Sequence, residues 1–155
     1  MLDQSDEYLV YQLLNCFFNS FDLKAWDTLR SCLADSLHTD YSALRGTPPE
    51  TMIADRFVES RRVSLVSLKT HHLSGNHEIT FSGDQASVRV SALIFRKDES
   101  GETFNTHCFY LFELKKMNGS WLITSIVQKV FWNDGNPKIH QGIEEKQPAE
   151  AEHKM

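Results

Sequence analysis

The sequence predicts an α+β fold in which helices at the N-terminal end pack on one face of a strongly curved antiparallel sheet. Two observations lead there. In the first part of the chain apolar residues recur every three or four positions, and from about Lys69 they alternate with polar ones. The alternating half is cut into segments by Ser82-Gly83-Asp84, Asp98-Glu99-Ser100-Gly101 and Asn118-Gly119, the last being the strongest short hairpin signal. Helices followed by a strand meander make an α+β domain, and a curved sheet closed by helices encloses a cone.

The first helix is read over residues 5–21, where Leu9, Leu13, Phe17 and Phe21, with Val10, Leu14 and Phe18, form one stripe, and Ser5 or Asp6 caps its start. "DLKAWDTLRSCLA" reads as a second helix with Asp22 as N-cap and Ala25, Trp26, Leu29 and Leu33 inward. "SLHTDYSAL" reads as a short strand. "TPPETMIADRFVESRRV" reads as a third helix. Thr47 and Glu50 have capping-box spacing, Pro48 and Pro49 lie in its first turn, and Met52, Ile53 and Phe57 face inward.

Four strands come next: "THHLSGNHEITFSG", with Gly75 as a bulge or bend; "QASVRVSALIFRK"; "ETFNTHCFYLFELKK"; and "SWLITSIVQKVFW". In the second, Ala86, Val88, Val90, Ala92 and Ile94 share one face. Residues 1–140 are read as one domain. Residues 141–155 are polar and charged, too poor in apolar residues to offset their ordering entropy, and are expected to be mobile.

A net charge of −5 argues against a partner read through its phosphate backbone. Arg61-Arg62 and Lys115-Lys116 are the only basic clusters, and both are read as solvated. Cys16, Cys32 and Cys108 form no CxxC pair and no His spacing suits a metal, so neither metal nor cofactor is expected. The acidic start lacks the order of a signal peptide, and no apolar run approaches the roughly 18 residues of a membrane span, which points to a cytoplasmic protein.

The adjacent pair His71-His72 opens the functional question. On a strand their side chains point to opposite faces, so one enters the cone and one leaves it; periodicity leaves open which. His107 is expected outside, His38 and His77 on polar faces, and His140 and His153 in the tail.

"SFDLKAWDTLRSCLADSLHTDY", "LKTHH" and "NGSW" together resemble the scytalone dehydratase family, over about Phe17 to Trp132. The resemblance implies the nuclear-transport-factor-2-like (NTF2-like, or cystatin-like) cone shared with SnoaL-like cyclases and ketosteroid isomerase. It implies His72 as the catalytic histidine, Asp22 as the aspartate that orients it, and Tyr41 as one of two water-orienting tyrosines. Phe21 stands at the second tyrosine position without a hydroxyl. Cys108 and Tyr110 stand at the positions of a serine and an asparagine, and a second pocket histidine falls near Phe95 or Arg96.

These residues suit a cofactor-independent lyase or isomerase working by proton transfer beside a carbonyl: dehydration, isomerisation or cyclisation of a small aromatic or polyketide-like molecule. A carboxylate beside an imidazole fixes its tautomer and is expected to raise its pKa. Phenols at Tyr41 and Tyr110 can stabilise an enolate. Phe21, Tyr110, Cys108, Trp26 and Phe57 are expected to contact the substrate.

Two other readings share the fold: a non-catalytic ligand-binding or oligomerisation module, and a small β-type subunit of a ring-hydroxylating oxygenase. Asp22 also has a sufficient structural task as an N-cap, worth about 1 kcal/mol. A homodimer or homotrimer through the sheet is expected in any case, with Phe112, Leu114 and Ile126 as its apolar surface.

Overall fold

The computed structural model describes residues 5–140. Helix α1 (Asp6–Asp22) begins at Ser5, whose hydroxyl accepts the Tyr8 N–H at 3.1 Å. Val10, Leu14, Phe17, Phe18 and Phe21 are its buried stripe. After it come α2 (Trp26–Ser31), β1 (Leu33–Asp40), α3 (Ser42–Arg45), β2 (Glu50–Ile53), α4 (Ala54–Ser64), β3 (Lys69–Ser82), β4 (Gln85–Lys97), β5 (Phe104–Met117) and β6 (Ser120–Gly135). A 3₁₀ turn, Pro137–Ile139, succeeds β6.

One six-stranded sheet runs in the order β2-β1-β6-β5-β4-β3. The four long strands form the antiparallel meander read from the sequence. The Asn118-Gly119 turn has φ of 52° and 81°, the left-handed pair that matches strand twist in a two-residue hairpin. Strand β1 joins β6 in parallel, and β2 pairs antiparallel with β1. The core lies between the helices and the concave face of the sheet, where α1 packs Phe17 and Phe18 edge-on against Phe112.

Four boundaries differ from the sequence reading; in one, the stretch read as strand through Leu44 ends at Asp40, and Ser42–Arg45 turns into the short helix α3. Helix α1 continues through Asp22, and Lys24 at φ 51° breaks the chain before the much shorter α2, whose N-cap is Ala25. Asp22 is therefore not an N-cap. Leu33 and Ala34 belong to β1 instead of a helix. The Thr47–Glu50 capping box does not form: Glu50–Ile53 is extended because it pairs with Ser36–Thr39, so α4 starts at Ala54 and Ile53 is exposed. The residue before a proline is itself biased to extended backbone, which disfavours a helix through Pro48-Pro49.

Strand β3 carries the expected irregularity. Its register against β4 slips between Gly75 and Glu78, with Asn76 at φ 55°. The extra residue reverses the facing of the strand beyond it. His72 and Ser74 face inward before the bulge, and His77 and Ile79 after it. His77 therefore packs on the Tyr11 ring at 4.8 Å and not on a polar face.

Phe112, Leu114 and Ile126 are fully buried on the concave face, so the apolar partner surface expected there does not exist. Leu73, Leu93, Phe95, Leu111, Phe131 and Trp132 are exposed apolar residues on the opposite face or the far end of β6, and Ile53, Phe81 and Met117 are exposed near strand ends. Among the described residues no helix is long and apolar enough to cross a membrane. The expected mobile tail, 141–155, and His153 lie outside the described residues.

Candidate active site

The last turn of α1 and the start of β3 bring Asp22 and His72 together. The Asp22 carboxylate lies 2.6 Å from His72 Nδ1 and accepts the His72 backbone N–H at 2.8 Å and the Thr70 hydroxyl at 2.9 Å. Thr70 and His72 are two apart on one strand, so both side chains face α1. His71 points outward, against Phe95. Both side chains of the pair are largely enclosed, His72 at 8% and Asp22 at 15% exposure.

Burial alone would raise the Asp22 carboxyl. The hydrogen bonds and charge of His72, with the Thr70 hydroxyl, outweigh it and hold the group below its ordinary range. His72 shifts the other way from the sequence expectation. Burial of the imidazole lowers its pKa; the Asp22 hydrogen bond and charge oppose this, and the charges of Arg96 and His71 add to it. The resting pair is thus a carboxylate and a neutral imidazole whose Nδ1–H is donated to Asp22. Nε2 then carries the lone pair, the form a general base needs.

Two tyrosines meet near the pair. Tyr41, at the end of β1, and Tyr110, on β5, are both buried, with ring centroids 6.5 Å apart. Gln128 Nε2 donates to the Tyr110 hydroxyl at 3.1 Å, which leaves the Tyr110 proton free to be donated elsewhere. Burial pushes the Tyr110 pKa well above its ordinary value and raises Tyr41 as well, against the opposing charges of Arg61 and Arg45. Both phenols therefore stay protonated donors at neutral pH.

The hollow beside the pair is much smaller than a ring-lined cone suggests. The large side chains of α1 and Phe112 fill most of it, leaving about 30 Å³ bounded by Phe21, Tyr41, His72, Arg96, Tyr110 and Gln128, among others. That holds roughly one water molecule. A vestibule of about 240 Å³ adjoins it, and Tyr41, Arg45 and Arg61 line both spaces. A larger hollow, about 560 Å³, is an open groove on the other face of the sheet, between Leu73, Leu93, His107, Phe131 and Trp132. It shares no lining residue with the inner cavity, and size alone does not make it the reactive centre.

Of the residues expected to contact substrate, Phe21 and Tyr110 line the inner cavity and Phe57 lines the vestibule, stacked on Tyr41. Trp26 stands behind Phe21, at 6.3 Å between rings, and reaches neither space. Cys108 faces the core with its thiol near the Ala92 carbonyl, 3.5 Å away, and does not line either space. His107 is outside as expected, stacked on Trp132 and paired with Asp134.

Sequence reasoning missed Arg45, Arg61, Gln128 and His140. Arg61, read as solvated, is buried, with its guanidinium carbon 4.5 Å from the ring centroids of Tyr41 and Phe57; its neighbour Arg62 is the solvated one, paired with Glu59. Arg96 continues the inward series Ala86 to Ile94 by one step, a signal present in the alternation. His140, read as a tail residue, is buried against the inner cavity. Among the described residues there is no cluster of three metal-ligating side chains.

Comparison with known proteins agrees with this architecture. A "Dehydratase GME11372" from Pestalotiopsis microspora is 26% identical over 129 residues, spanning 76% of this chain and 81% of that one. A "Scytalone dehydratase PfmaJ" from Pestalotiopsis fici is 24% identical over 148 residues, spanning 83% and 74%. The Kfla4162 protein of Kribbella flavida superposes with a TM-score of 0.83 at 20% identity, covering 86% of this chain and 95% of that one. A Nostoc punctiforme protein with a cystatin-like fold gives 0.63 at 15% identity, covering 83% and 93%. The fold is the NTF2-like, cystatin-like α+β cone. A profile of the SnoaL-like domain matches residues 4–127, and the chain belongs to that family.

Proposed function

We propose that the protein is a cofactor-independent lyase or isomerase that moves a proton beside a carbonyl of a small aromatic or polyketide-like molecule. The observation that carries this reading is the 2.6 Å contact between the largely enclosed Asp22 carboxylate and His72 Nδ1, with Tyr41 and Tyr110 lining the same cavity as the imidazole. His72 Nε2 takes a proton from the carbon beside the carbonyl, and the C–H electron pair becomes the enolate π bond. A tyrosine hydroxyl donates to the enolate oxygen. In a dehydration the enolate then expels a β-hydroxyl, which leaves as water with the proton returned by the His72 imidazolium. In an isomerisation the same proton returns to another carbon. Asp22 stabilises the imidazolium between the two steps. An aromatic substrate exceeds the resting cavity, so it enters from the vestibule and displaces the side chains of Arg45 and Arg61 that stand between the two spaces.

The related dehydratases support this class of reaction and leave the substrate open. The nearly filled cone is the observation that favours the alternative, a binding module without turnover. The test is turnover of small enolisable ketones and β-hydroxyketones by wild type and His72→Ala. Loss of roughly 10²–10⁴ in kcat, with an unchanged circular dichroism spectrum, is expected. Equal turnover by both proteins removes His72 from the chemistry, and no turnover by either leaves the module.

A second copy of the chain is the partner we propose for the outer groove, giving a homodimer or homotrimer. Exposed Phe131, Trp132, Leu93 and Leu73 gather there on one apolar face.

A further inference from the structure

The boundary between cavity and vestibule holds more positive charge than its own residues neutralise. Arg45, Arg61 and Arg96 all line the inner cavity, and the first two also line the vestibule. None of the three forms an ion pair among the described residues. Asp22, behind His72, already accepts three hydrogen bonds from Thr70 and His72, and Glu50, which lines the vestibule, is paired with Arg56 at 2.7 Å.

Among the described residues, these three arginines hydrogen-bond to and stack on neutral groups only. Arg96 donates to the Thr106 hydroxyl at 2.8 Å and to the Phe104 carbonyl at 3.4 Å. Arg61 reaches the Ser60 hydroxyl at 3.2 Å and lies over two rings. Arg45 Nε is enclosed with no acceptor, and Gln128 Oε1, also at the cavity, is enclosed with no donor.

Buried charges without a counter-charge are costly, and folds keep them where a ligand completes them. Burial lowers the Arg45 pKa to about 9, with the charges of Arg61 and Arg96 adding to the effect, and it lowers Arg96 to about 10. Both remain cationic at neutral pH, and the two nearby carboxylates, Asp22 and Glu50, are already committed to His72 and to Arg56.

We propose that the site takes a small carboxylic acid, its carboxylate held by Arg45 and Arg61 at the mouth of the cavity and its reactive carbon turned toward His72. Planar guanidiniums match carboxylates in a two-point fork, which also sets the orientation of the molecule. Gln128 Oε1 is placed to accept a hydroxyl or N–H of the same ligand. A carboxylate at this boundary also draws Arg45 and Arg61 off Tyr41, the movement that opens the inner cavity. The inference rests on the proton-transfer reading of the same cavity and refines its substrate to an acid.

The test is binding, so it does not depend on turnover. Titration of the full chain with benzoate and with its neutral isostere benzamide is followed by the Nε–H resonances of Arg45 and Arg61 and by Tm. Benzoate is expected to shift both resonances saturably and raise Tm, while benzamide does neither. Arg45→Met is expected to weaken benzoate by roughly tenfold or more and to raise the Tm of the ligand-free protein, because an uncompensated buried charge is gone. A purely structural arginine gives the opposite sign of Tm change.

Equal response to benzamide overturns the proposal. So does the absence of any shift with benzoate, phenylacetate and pyruvate at about 10 mM, a concentration that detects even millimolar affinity. Glu144, Glu145, Glu150 and Glu152 lie farther along the same chain. Arginine shifts on replacing all four by Gln, without a benzoate response in the wild type, overturn a free acid and assign the carboxylate to the chain itself. If benzoate binds but His72→Ala keeps full turnover, the carboxylate site stands and the proton-transfer reading falls.

Discussion

Asp22 does two things to His72 that pull in different directions at different stages of a reaction. At rest it pins Nδ1–H and leaves Nε2 basic; once Nε2 is protonated it becomes the counter-ion. Because burial lowers the His72 pKa below its ordinary 6.5, the acid limb of a kcat/KM profile is expected to bend below pH 6.5, and a midpoint above 7 contradicts the neutral base. Asp22→Asn removes the one nearby group that raises the imidazole pKa. That limb should therefore move to still lower pH while kcat falls, since the imidazolium intermediate has lost its counter-ion. Activity profiles of the two proteins, with His72 ring protons followed by NMR, check both the direction of the shift and its owner. The pair was implied by the resemblance to the scytalone dehydratase family, strand periodicity alone leaving open which of His71 and His72 faces inward. The sign of the histidine shift was not legible, because desolvation depends on the aromatic side chains that close over the ring.

Single residues at the ends and bulges of strands decide which way side chains point. The bulge at Gly75–Glu78 lets one strand present His72 to α1 near its end and His77 to Tyr11 farther along. Gly75 has open space where a Cβ would stand and no positive φ, so Gly75→Ala is expected to leave Tm nearly unchanged. Gly135, at the end of β6, is the opposite case. Its φ is +91°, and a Cβ there would meet the Thr103 carbonyl oxygen at 2.2 Å. That carbonyl accepts the Asn136 N–H at 2.8 Å and ties the segment carrying His140 to the sheet. Gly135→Ala is expected to cost about 2 kcal/mol or more and to lower Tm by roughly 4–8 °C; a thermal melt of both variants gives the contrast. The Asn-Gly hairpin and the meander were readable as local patterns. Strand β2 was not, because it is extended only through its pairing with β1.

At the scale of the whole molecule, the enclosed acid–base pair ties stability to pH. The folded pKa values of Asp22 and His72 both lie below their ordinary values, so the unfolded chain binds more protons and stability rises with pH. The His72 contribution is complete above pH 6.5 and is lost as pH falls through its lowered folded pKa. Asp22 behaves likewise below 3.8. Tm is therefore expected to fall between pH 7 and pH 5 in the wild type and to fall less in His72→Phe. The outer sheet face makes a separate prediction. Trp132, 58% exposed, lies where we propose a second copy docks, and Trp132→Glu is expected to shift the protein toward monomer in light scattering while leaving the far-side cavity untouched. A monomeric wild type at micromolar concentration rules that partner out.

The order of helices then a curved meander could be read from the chain, because periodicity and turn chemistry are local properties that survive without coordinates; Asp22, His72 and Tyr41 were candidates through the family resemblance. Three things came only with the packed fold: the near absence of free volume beside the pair, the inward turn of Arg45 and Arg61, and the burial of Phe112, Leu114 and Ile126. Free volume and local charge balance are sums over residues distant in sequence. Arg61 and Arg62 look alike as neighbours on a helix, and only the rings of Tyr41 and Phe57 make one of them interior.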